Sequence, residues 1–432
     1  MSRPPRGIVV AVAGFLLVVG TLAVGAATAP DVAVSGDGDR VTLVGSQGGG
    51  AGWHEGGSVY RIENSTITWR EDSADSYFDV TRLPDGSVLA GFMHSGYTEG
   101  CAPYDPPCTK TGARVIDPAG PSVQSEYAFP VRSAANSESH DVELLDSGEF
   151  LVTDMEHERL FTVREGQVTW EWTAGEFYDA PPDATQRDWL HINDVDVIEE
   201  GRYLVSVRNS NQILIVERGN GVVEVINADR GTGDGACQLR GDQLADFDGD
   251  GEIRCGDPAV MDHQHNPQWL GDGAVLVADS GNDRVVELHR EDGEWEPVWT
   301  LTEAGGVDLH WPRDADRLAN GNTLVTDTLN NRIVEVAPNG TVVWSRQTPA
   351  DSPIAYEAER LPEGERVGAP TAQNGTIETG EADVPVLSPA LVGLRAVVPG
   401  TPFWFGERHL ALVLAGLVGI ALGSVDWYRS RE

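Results

Sequence analysis

The sequence has little positive charge and almost no lysine. Its 432 residues carry 68 Asp and Glu against 30 Lys and Arg, a formal net charge of −38, and Lys110 is the single lysine. Nucleic acids and anionic lipid surfaces bind proteins through a positive field, so the composition argues against a nucleic-acid partner. An acidic surface of this kind is typical of a halophilic protein, and salt would also screen its repulsion of anionic substrates.

Long apolar runs are confined to the two ends of the chain. Residues 7–27 are all apolar or small, long enough to span a bilayer, and the arginines before them predict a cytoplasmic tail over residues 1–6. This run could also be a cleaved signal peptide, but its length favours an uncleaved anchor.

The second apolar segment, Leu410 to Val425, lies in a predicted transmembrane helix over residues 408–427. Aromatic residues flank it, and Arg429 and Arg431 follow it, which again indicates the cytoplasmic side. A buried core helix is the alternative. With both tails inside, the lipid bilayer would be a partner and the long middle part of the chain would be extracellular.

Cysteine is also scarce. The four residues form two close pairs, Cys101 with Cys108 and Cys237 with Cys255. An even count at short spacings in a domain outside the cytosol predicts two disulfides, each closing a small loop. The spacing of the first pair is not that of a zinc site.

Six short stretches repeat one pattern: an anchor residue, an apolar residue five positions on and a Gly eight positions on. The anchors are Phe78, His140, His191, His265, Arg313 and Tyr356, and the His191 copy holds two extra residues before its Gly. Several copies continue with three more short β-branched runs separated by turn residues. Four strands per unit indicate a propeller blade.

The last anchor supplies one strand, and the chain before the first anchor supplies three more, at 41–45, 59–62 and 66–69. Joined, they make a whole blade that closes the ring. The sequence therefore predicts an all-β, six-bladed β-propeller over residues 40–365, with an insertion at about 227–262. Residues 366–400, rich in Gly, Pro, Ala and Thr, are predicted to form a stalk.

The insertion contains the string DFDGDGEIRCGD, which has the spacing of an EF-hand calcium loop. The candidate ligands are Asp246, Asp248, Asp250, Glu252 and Asp257. The final ligand is Asp where the loop usually has Glu, and an ordinary acidic surface loop is the alternative. A Ca2+ ion here would be structural, holding the insertion together with the Cys237–Cys255 pair.

Equivalent positions of propeller blades face a common channel, so we expect the three anchor histidines and Arg313 to converge. His263 is close enough to His265 to compete with it for the same role. At DWLHIND, followed by LVSVRNSNQILIVE, the chain resembles the PAPS-independent arylsulfate sulfotransferases, which are six-bladed propellers.

The resemblance implies a nucleophile that is transiently sulfated, His265, and two assisting histidines, His140 and His191. It also implies an arginine, Arg208, and a polar site residue, Asn193. The partners would be an aryl sulfate and a phenolic acceptor, with no PAPS.

Chemistry agrees with these roles. Neutral imidazole can attack sulfur, a second histidine can move the phenol proton, and a guanidinium can hold sulfate oxygens, with Arg313 as a further substrate-binding group. A non-catalytic, NHL-like propeller that binds a ligand or protein at the cell surface is the alternative, since DSGNDRVVEL and DTLNNRIVEV resemble NHL-type repeats.

Overall fold

The alternating runs of the sequence form six four-stranded antiparallel sheets arranged as a β-propeller. The computed structural model describes residues 5–29, 40–50, 52–64, 66–228, 244–247, 249, 253–271, 273–372, 386–398 and 401–430. Each sheet is one blade, and the order of strands in each blade follows the chain except in the closing one.

The strands are as follows. The first blade has β4 (Ser76–Arg82), β5 (Val88–Tyr97), β6 (Cys108–Asp117) and β7 (Ser122–Val131). The second has β8 (Val142–Leu144), β9 (Phe150–Asp154), β10 (Arg159–Arg164) and β11 (Gln167–Thr173). The third has β12 (Ile192–Glu199), β13 (Arg202–Val207), β14 (Gln212–Glu217) and β15 (Gly221–Ile226).

The fourth blade has β16 (His265–Gly271), β17 (Ala274–Asp279), β18 (Arg284–Glu291) and β19 (Glu294–Leu301). The fifth has β20 (Pro312–Arg317), β21 (Thr323–Asp327), β22 (Arg332–Val336) and β23 (Val342–Gln347). The closing blade has the order β24 (Ile354–Leu361), β1 (Val41–Gly48), β2 (Ser58–Glu63) and β3 (Thr66–Glu71). The predicted six-bladed fold and its closure by both ends of the domain are thus confirmed.

The hydrophobic core lies between the faces of neighbouring blades. One cluster of buried side chains joins the second and third blades, another the third and fourth, and a third the fourth and fifth. Each blade buries apolar residues on both faces, which explains the near-continuous β-branched runs of the middle strands. This packing holds the first strand of each blade around the ring.

The first strands of four blades carry a bulge close to their anchor residue. The pairing register shifts between Tyr77 and Val80 in β4, and between His265 and Gln268 in β16, with similar shifts at the start of β12 and β20. A bulge turns a strand locally, so residues next to each other in sequence can point to the same side. The anchor and the residue after it can therefore both face the channel.

The structure bears on the two predicted disulfides and on the predicted stalk. Cys101, in the loop after β5, forms a disulfide with Cys108, the first residue of β6. Cys255 is disulfide-bonded, and its predicted partner Cys237 lies outside the described residues. The start of the predicted stalk packs on the fourth blade, where the backbone N–H of Gly368 donates to the Trp269 carbonyl at 3.0 Å.

The two ends of the chain form a separate helical unit. It contains α1 (Arg6–Thr28), α2 (Leu387–Val397) and α3 (Glu407–Arg429). Among the described residues, α1 and α3 are the two helices long and apolar enough to cross a membrane. A Cβ atom on Gly7 would lie 2.5 Å from the Gly423 carbonyl oxygen, and one on Gly14 would lie 2.5 Å from that of Gly416. These pairings make α1 and α3 an antiparallel pair in close backbone contact.

Candidate active site

The anchors lie at or near the start of the first strands, and five of the six, all but Phe78, line one cavity of about 380 Å³. The predicted site residues that line it are His140, His191, Arg208, His265 and Arg313. Tyr356, the anchor of the closing blade, lines it too, together with Gln47, Trp53, His54, Glu138 and Trp311. The structure thus brings all three anchor histidines and both arginines to one place.

His265 has one defined tautomer. Its Nδ1 lies 3.0 Å from the His263 carbonyl oxygen and 2.8 Å from Ser280 Oγ. The Ser280 hydroxyl donates to the Pro312 carbonyl, so its oxygen is free to accept from the ring. Both neighbours of Nδ1 are therefore acceptors, which places the ring proton on Nδ1 and leaves the lone pair on Nε2.

His265 is also kept neutral. Burial lowers its pKa well below the usual value, and the positive charges of Arg313 and Arg208 lower it further. A neutral imidazole with a free Nε2 lone pair is a nucleophile. Its position is fixed by the preceding residue, because the buried Gln264 amide donates to the Gln212 and Val207 carbonyls at 2.9 and 3.1 Å.

Asp188 holds the second histidine and the first arginine together. One carboxylate oxygen accepts from His191 Nδ1 at 2.8 Å, and the other accepts from an Arg208 guanidinium nitrogen at 3.2 Å. Burial would raise the pKa of Asp188, but the positive charges of His191 and Arg208 keep it well below its usual value. His191 therefore carries its proton on Nδ1 and presents Nε2 as the second ring nitrogen.

The backbone at His191 is held in the left-handed region, with φ of 59°. Such a conformation is uncommon for a residue with a side chain. The buried carboxylate of Glu158 secures it by accepting the backbone N–H groups of Leu190, His191 and Ile192 at 2.7–2.9 Å. Burial lowers the pKa of His191, with Arg208 adding to that effect and Asp188 opposing it.

His140 lies between aromatic neighbours. Its ring stacks on His191 with centroids 5.2 Å apart, and on Tyr356 at 5.3 Å. Its Nδ1 is buried and has no hydrogen-bond partner. Burial lowers the pKa of His140 well below the usual value; His191, Arg313 and Arg208 lower it further, whereas Glu138 opposes the shift.

A pair that the sequence did not indicate, Glu138 and His54, lies beside His140. The Glu138 carboxylate is 2.9 Å from His54 Nε2, while His54 Nδ1 is 2.7 Å from Ser76 Oγ. Burial opposes ionisation of Glu138, but the His54 hydrogen bond and the His140 charge lower its pKa to about 2. Because Ser76 donates its own hydroxyl to the Gln47 carbonyl, His54 donates from both ring nitrogens.

Arg313 is buried in an aromatic cage. Its guanidinium carbon lies 4.7 Å from the Trp53 ring centre and 5.1 Å from that of Tyr356, and one nitrogen donates to Gln47 Oε1. Burial lowers the pKa of Arg313 to about 10, so it remains a cation at neutral pH. Its Nε is buried without a partner, as is Nε1 of Trp311, another lining residue.

Asn193 and His263 are placed differently from the other candidates. Asn193 is absent from the cavity lining. Its side-chain amide donates to the Gln264 backbone carbonyl at 2.9 Å, and its backbone carbonyl accepts from the Tyr356 hydroxyl at 3.3 Å. His263 is also absent from the lining, and packs against Trp311 with ring centroids 5.8 Å apart. Of the two competing histidines, His265 therefore faces the cavity.

The predicted calcium loop is described only in part. Asp248, Asp250 and Glu252 lie outside the described residues. Oδ1 of Asp246 accepts the Gly249 backbone N–H at 2.6 Å, and Oδ1 of Asp257 accepts that of Ala259 at 2.9 Å. In the part of the chain that is described, no group of three metal-binding side chains is already placed to hold an ion. The Ca2+ site stays a prediction.

Six contributors to this site were not predicted from the sequence: Gln47, Trp53, His54, Glu138, Asp188 and Trp311. Three of them carried a usable signal: Asp188 stands three residues before His191 inside the quoted motif, and Glu138 stands two before His140. Trp311 likewise precedes Arg313 by two residues. His54 carried none, because it lies outside the repeated strands.

The fold and the cavity together define a six-bladed propeller with an imidazole and guanidinium site at its channel. The family model described as arylsulfotransferase (ASST) matches residues 173–349. The matched part contains His191, Arg208, His265 and Arg313. The match supports the resemblance to the arylsulfotransferases found in the sequence.

Three solved structures illustrate what the chain is similar to at low sequence identity. A protein of unknown function from Bacteroides caccae is 16% identical, with 75% of this chain and 99% of that chain covered and a TM-score of 0.49. The periplasmic gluconolactonase of Pseudomonas aeruginosa is 12% identical, with 75% and 99% covered and a TM-score of 0.41. Virginiamycin B lyase from Staphylococcus aureus is 11% identical, with 63% and 70% covered and a TM-score of 0.37. Among curated proteins, none matches the chain.

Proposed function

We propose that this propeller transfers a sulfuryl group from an aryl sulfate to a phenol through a sulfohistidine at His265. The observation that carries the proposal is a set of buried nitrogen atoms without partners around one neutral imidazole: Nε of Arg313, Nε1 of Trp311 and Nδ1 of His140. Unpaired buried polar groups are costly, and a bound sulfate group offers the oxygens that would pair them.

In the first half-reaction, Nε2 of His265 attacks the sulfur. An N–S bond forms, the S–O bond to the aryl group breaks, and the electron pair leaves with the phenolate oxygen. His191 enters this step protonated on both ring nitrogens, a form that Asp188 would stabilise, and it gives its Nε2 proton to the phenolate and becomes neutral. Arg208 and Arg313 hold the sulfuryl oxygens while charge moves to the leaving group.

The second half-reaction reverses these roles. A phenol enters, His191 accepts its proton, and the phenol oxygen attacks sulfur while the N–S bond breaks. The rings of Trp53, Trp311 and Tyr356 line the same cavity, so a flat aromatic acceptor has apolar surface to pack on. His265 returns to its neutral form with Nε2 free.

The location follows from the terminal helices. We propose that α1 and α3 anchor the protein in the cell membrane with the propeller on the extracellular side, where its disulfides are stable. The excess of acidic residues suits a surface exposed to high salt. A structural Ca2+ in the 246–257 loop belongs to the same proposal.

The test is transferase turnover in high salt with a nitrophenyl sulfate donor and a phenol acceptor. We expect His265→Ala to abolish nitrophenol release, and the wild-type protein to yield a sulfated peptide containing His265. The matched control is His263→Ala, which alters the same segment but lies outside the cavity lining and should retain turnover. Full activity of His265→Ala would exclude the mechanism, and no turnover with several donors would favour a surface-binding propeller.

A further inference from the structure

Two sets of mostly acidic positions follow the anchors in the six repeats, and each set is called a carboxylate ring below. The first carboxylate ring stands seven residues before each repeat Gly: Asp79, Asp141, Asp194, Asn266, Asp314 and Glu357. The second carboxylate ring stands five residues before it: Thr81, Glu143, Asp196, Gln268, Asp316 and Glu359. Nine of these twelve positions are acidic. Residues two apart on a strand share a face, so both rings belong to the channel side of the first strands.

Seven of the nine acidic ring residues line a second cavity, of about 190 Å³. They are Asp79, Asp141, Glu143, Asp194, Asp196, Glu357 and Glu359, and Glu365 joins them from outside the rings. Thr81, Asn266 and three valines complete the described lining, and none of these residues is basic. Asp79, Asp141, Asp194 and Glu359 are buried. Carboxylates held together away from water without a counter-charge are unfavourable, because burial weakens their hydration and strengthens their mutual repulsion.

Hydrogen bonds from the protein satisfy only some of the oxygens in this cluster. Backbone N–H groups donate to Asp141 at 2.6 Å, to Asp196 at 3.0 Å and to Glu359 at 2.9 Å. Oδ2 of Asp79 and Oδ1 of Asn266 have no partner, although these residues are only 4% and 7% exposed. Two unpaired oxygens therefore border the acidic cavity.

We propose that the two carboxylate rings bind a hard divalent cation, for which Ca2+ is the best fit. The donors are carboxylate and amide oxygens, which Ca2+ takes in sets of six to eight with flexible geometry. Thiol and imidazole ligands, which select softer metals, are absent from the described lining. Because no three of the described side chains already surround one point, the ion would draw the carboxylates inward by side-chain rotation.

Protons are the competing way to neutralise the rings. Burial raises the pKa of all eight acidic side chains in the lining, so protons can provide part of the neutralisation that a cation would provide. The proposal is independent of the sulfotransferase reaction and of the calcium loop predicted at 246–257.

The test uses the full chain in detergent, stripped with a chelator and titrated with Ca2+ by calorimetry. Asp79→Asn combined with Asp194→Asn removes two charges from the first carboxylate ring while preserving shape. We expect this double variant to lose one binding event, or to bind at least tenfold more weakly. Asp246→Asn, in the predicted loop, is the matched control and should retain the channel event.

Thermal unfolding separates a cation from protons. With Ca2+ added, the wild-type midpoint should rise by a few degrees and that of the double variant should not. In chelator, the double variant should be the more stable protein, because its ring carries less repulsion. Unchanged binding in the double variant would overturn the proposal, as would a wild-type midpoint that ignores Ca2+.

If the double variant does not fold, Asp246→Asn carries the test alone. Calcium binding that persists in it should release protons, seen as a heat of binding that changes with the ionisation enthalpy of the buffer. Absence of any remaining Ca2+ binding in that variant would refute a site in the channel.

Discussion

The substitution Asp188→Asn tests how the site prepares its acid and base. Asp188 accepts from His191 Nδ1 at 2.8 Å and from Arg208 at 3.2 Å. Hydrogen bonds to charged groups are worth about 1.5–3 kcal/mol each, and about 1.4 kcal/mol is tenfold in rate. Because the two bonds share one carboxylate and are not additive, we expect kcat/KM to fall by roughly 10²- to 10³-fold.

The physical reason is a change of tautomer as well as a lost charge. An asparagine amide can donate to His191 Nδ1, which would move the ring proton to Nε2 and remove the base needed for the incoming phenol. The assay is nitrophenyl sulfate turnover across pH, with the thermal midpoint as a folding check. We expect the alkaline and acid limbs to move, because the protonated His191 loses its counter-ion.

Asp183→Asn is the matched control. Asp183 pairs with Arg187 in the same loop, but both side chains are substantially exposed, at 49% and 36%. Surface pairs of this kind contribute little, so turnover should stay within about twofold of wild type. If Asp188→Asn folds and keeps both its rate and its pH profile, the assignment of His191 as the acid and base is refuted.

Three further predictions concern the stability of the propeller and the packing of the terminal helices. Burial raises the pKa of Glu359 from 4.5 to about 7. The stability that the protonated side chain provides is therefore present below about pH 4.5 and is lost as the pH rises through 7. In chelator, the free energy of unfolding of Glu359→Gln should rise by about 3 kcal/mol relative to that of the wild type between pH 4.5 and 8, as measured by denaturant titration. Cys101→Ser opens a disulfide between residues seven apart and should lower the free energy of unfolding by about 2.5 kcal/mol in denaturant titrations. Gly14→Leu should separate α1 from α3, because the Leu side chain would meet the Gly416 carbonyl, and chemical cross-linking between the two helices should therefore decrease. Gly20 faces open space, so Gly20→Leu should leave the cross-linking unchanged.

The blade architecture was predictable because its signal is repeated. An apolar residue and a Gly recur at fixed distances from each anchor, and the strands that follow alternate in a regular way. The closing blade could be inferred because a first strand without followers and three strands without a first strand complement each other. β24 does pair with β1 in the structure, with Val41 opposite Leu361.

The site was predictable only where it coincides with the repeats. His140, His265 and Arg313 are anchors, and Arg208 came from the family resemblance. His54 reaches the cavity from a turn between β1 and β2, where no periodicity exists to indicate direction. The partner atoms that fix tautomers, such as the His263 carbonyl, are backbone groups and leave no trace in residue type.

The carboxylate rings show a different limit. Acidic residues in strands normally face solvent, so alternating Asp and Glu in an acidic protein indicate a hydrated surface. A bulge at the start of the first strands changes that expectation, because it aims two successive side chains toward the same channel. Bulge positions depend on pairing between strands, which a single sequence does not reveal.

The closing blade has a consequence for synthesis on the ribosome. β1 is made early, but the strand that covers its inner edge, β24, follows roughly 300 residues later. At about 5–20 residues per second, that edge stays unpaired for roughly 15 to 60 s. During this interval the three N-terminal strands expose a sheet edge of the kind that recruits other chains. Cells that make this protein therefore need to shield its first strands until the last one arrives.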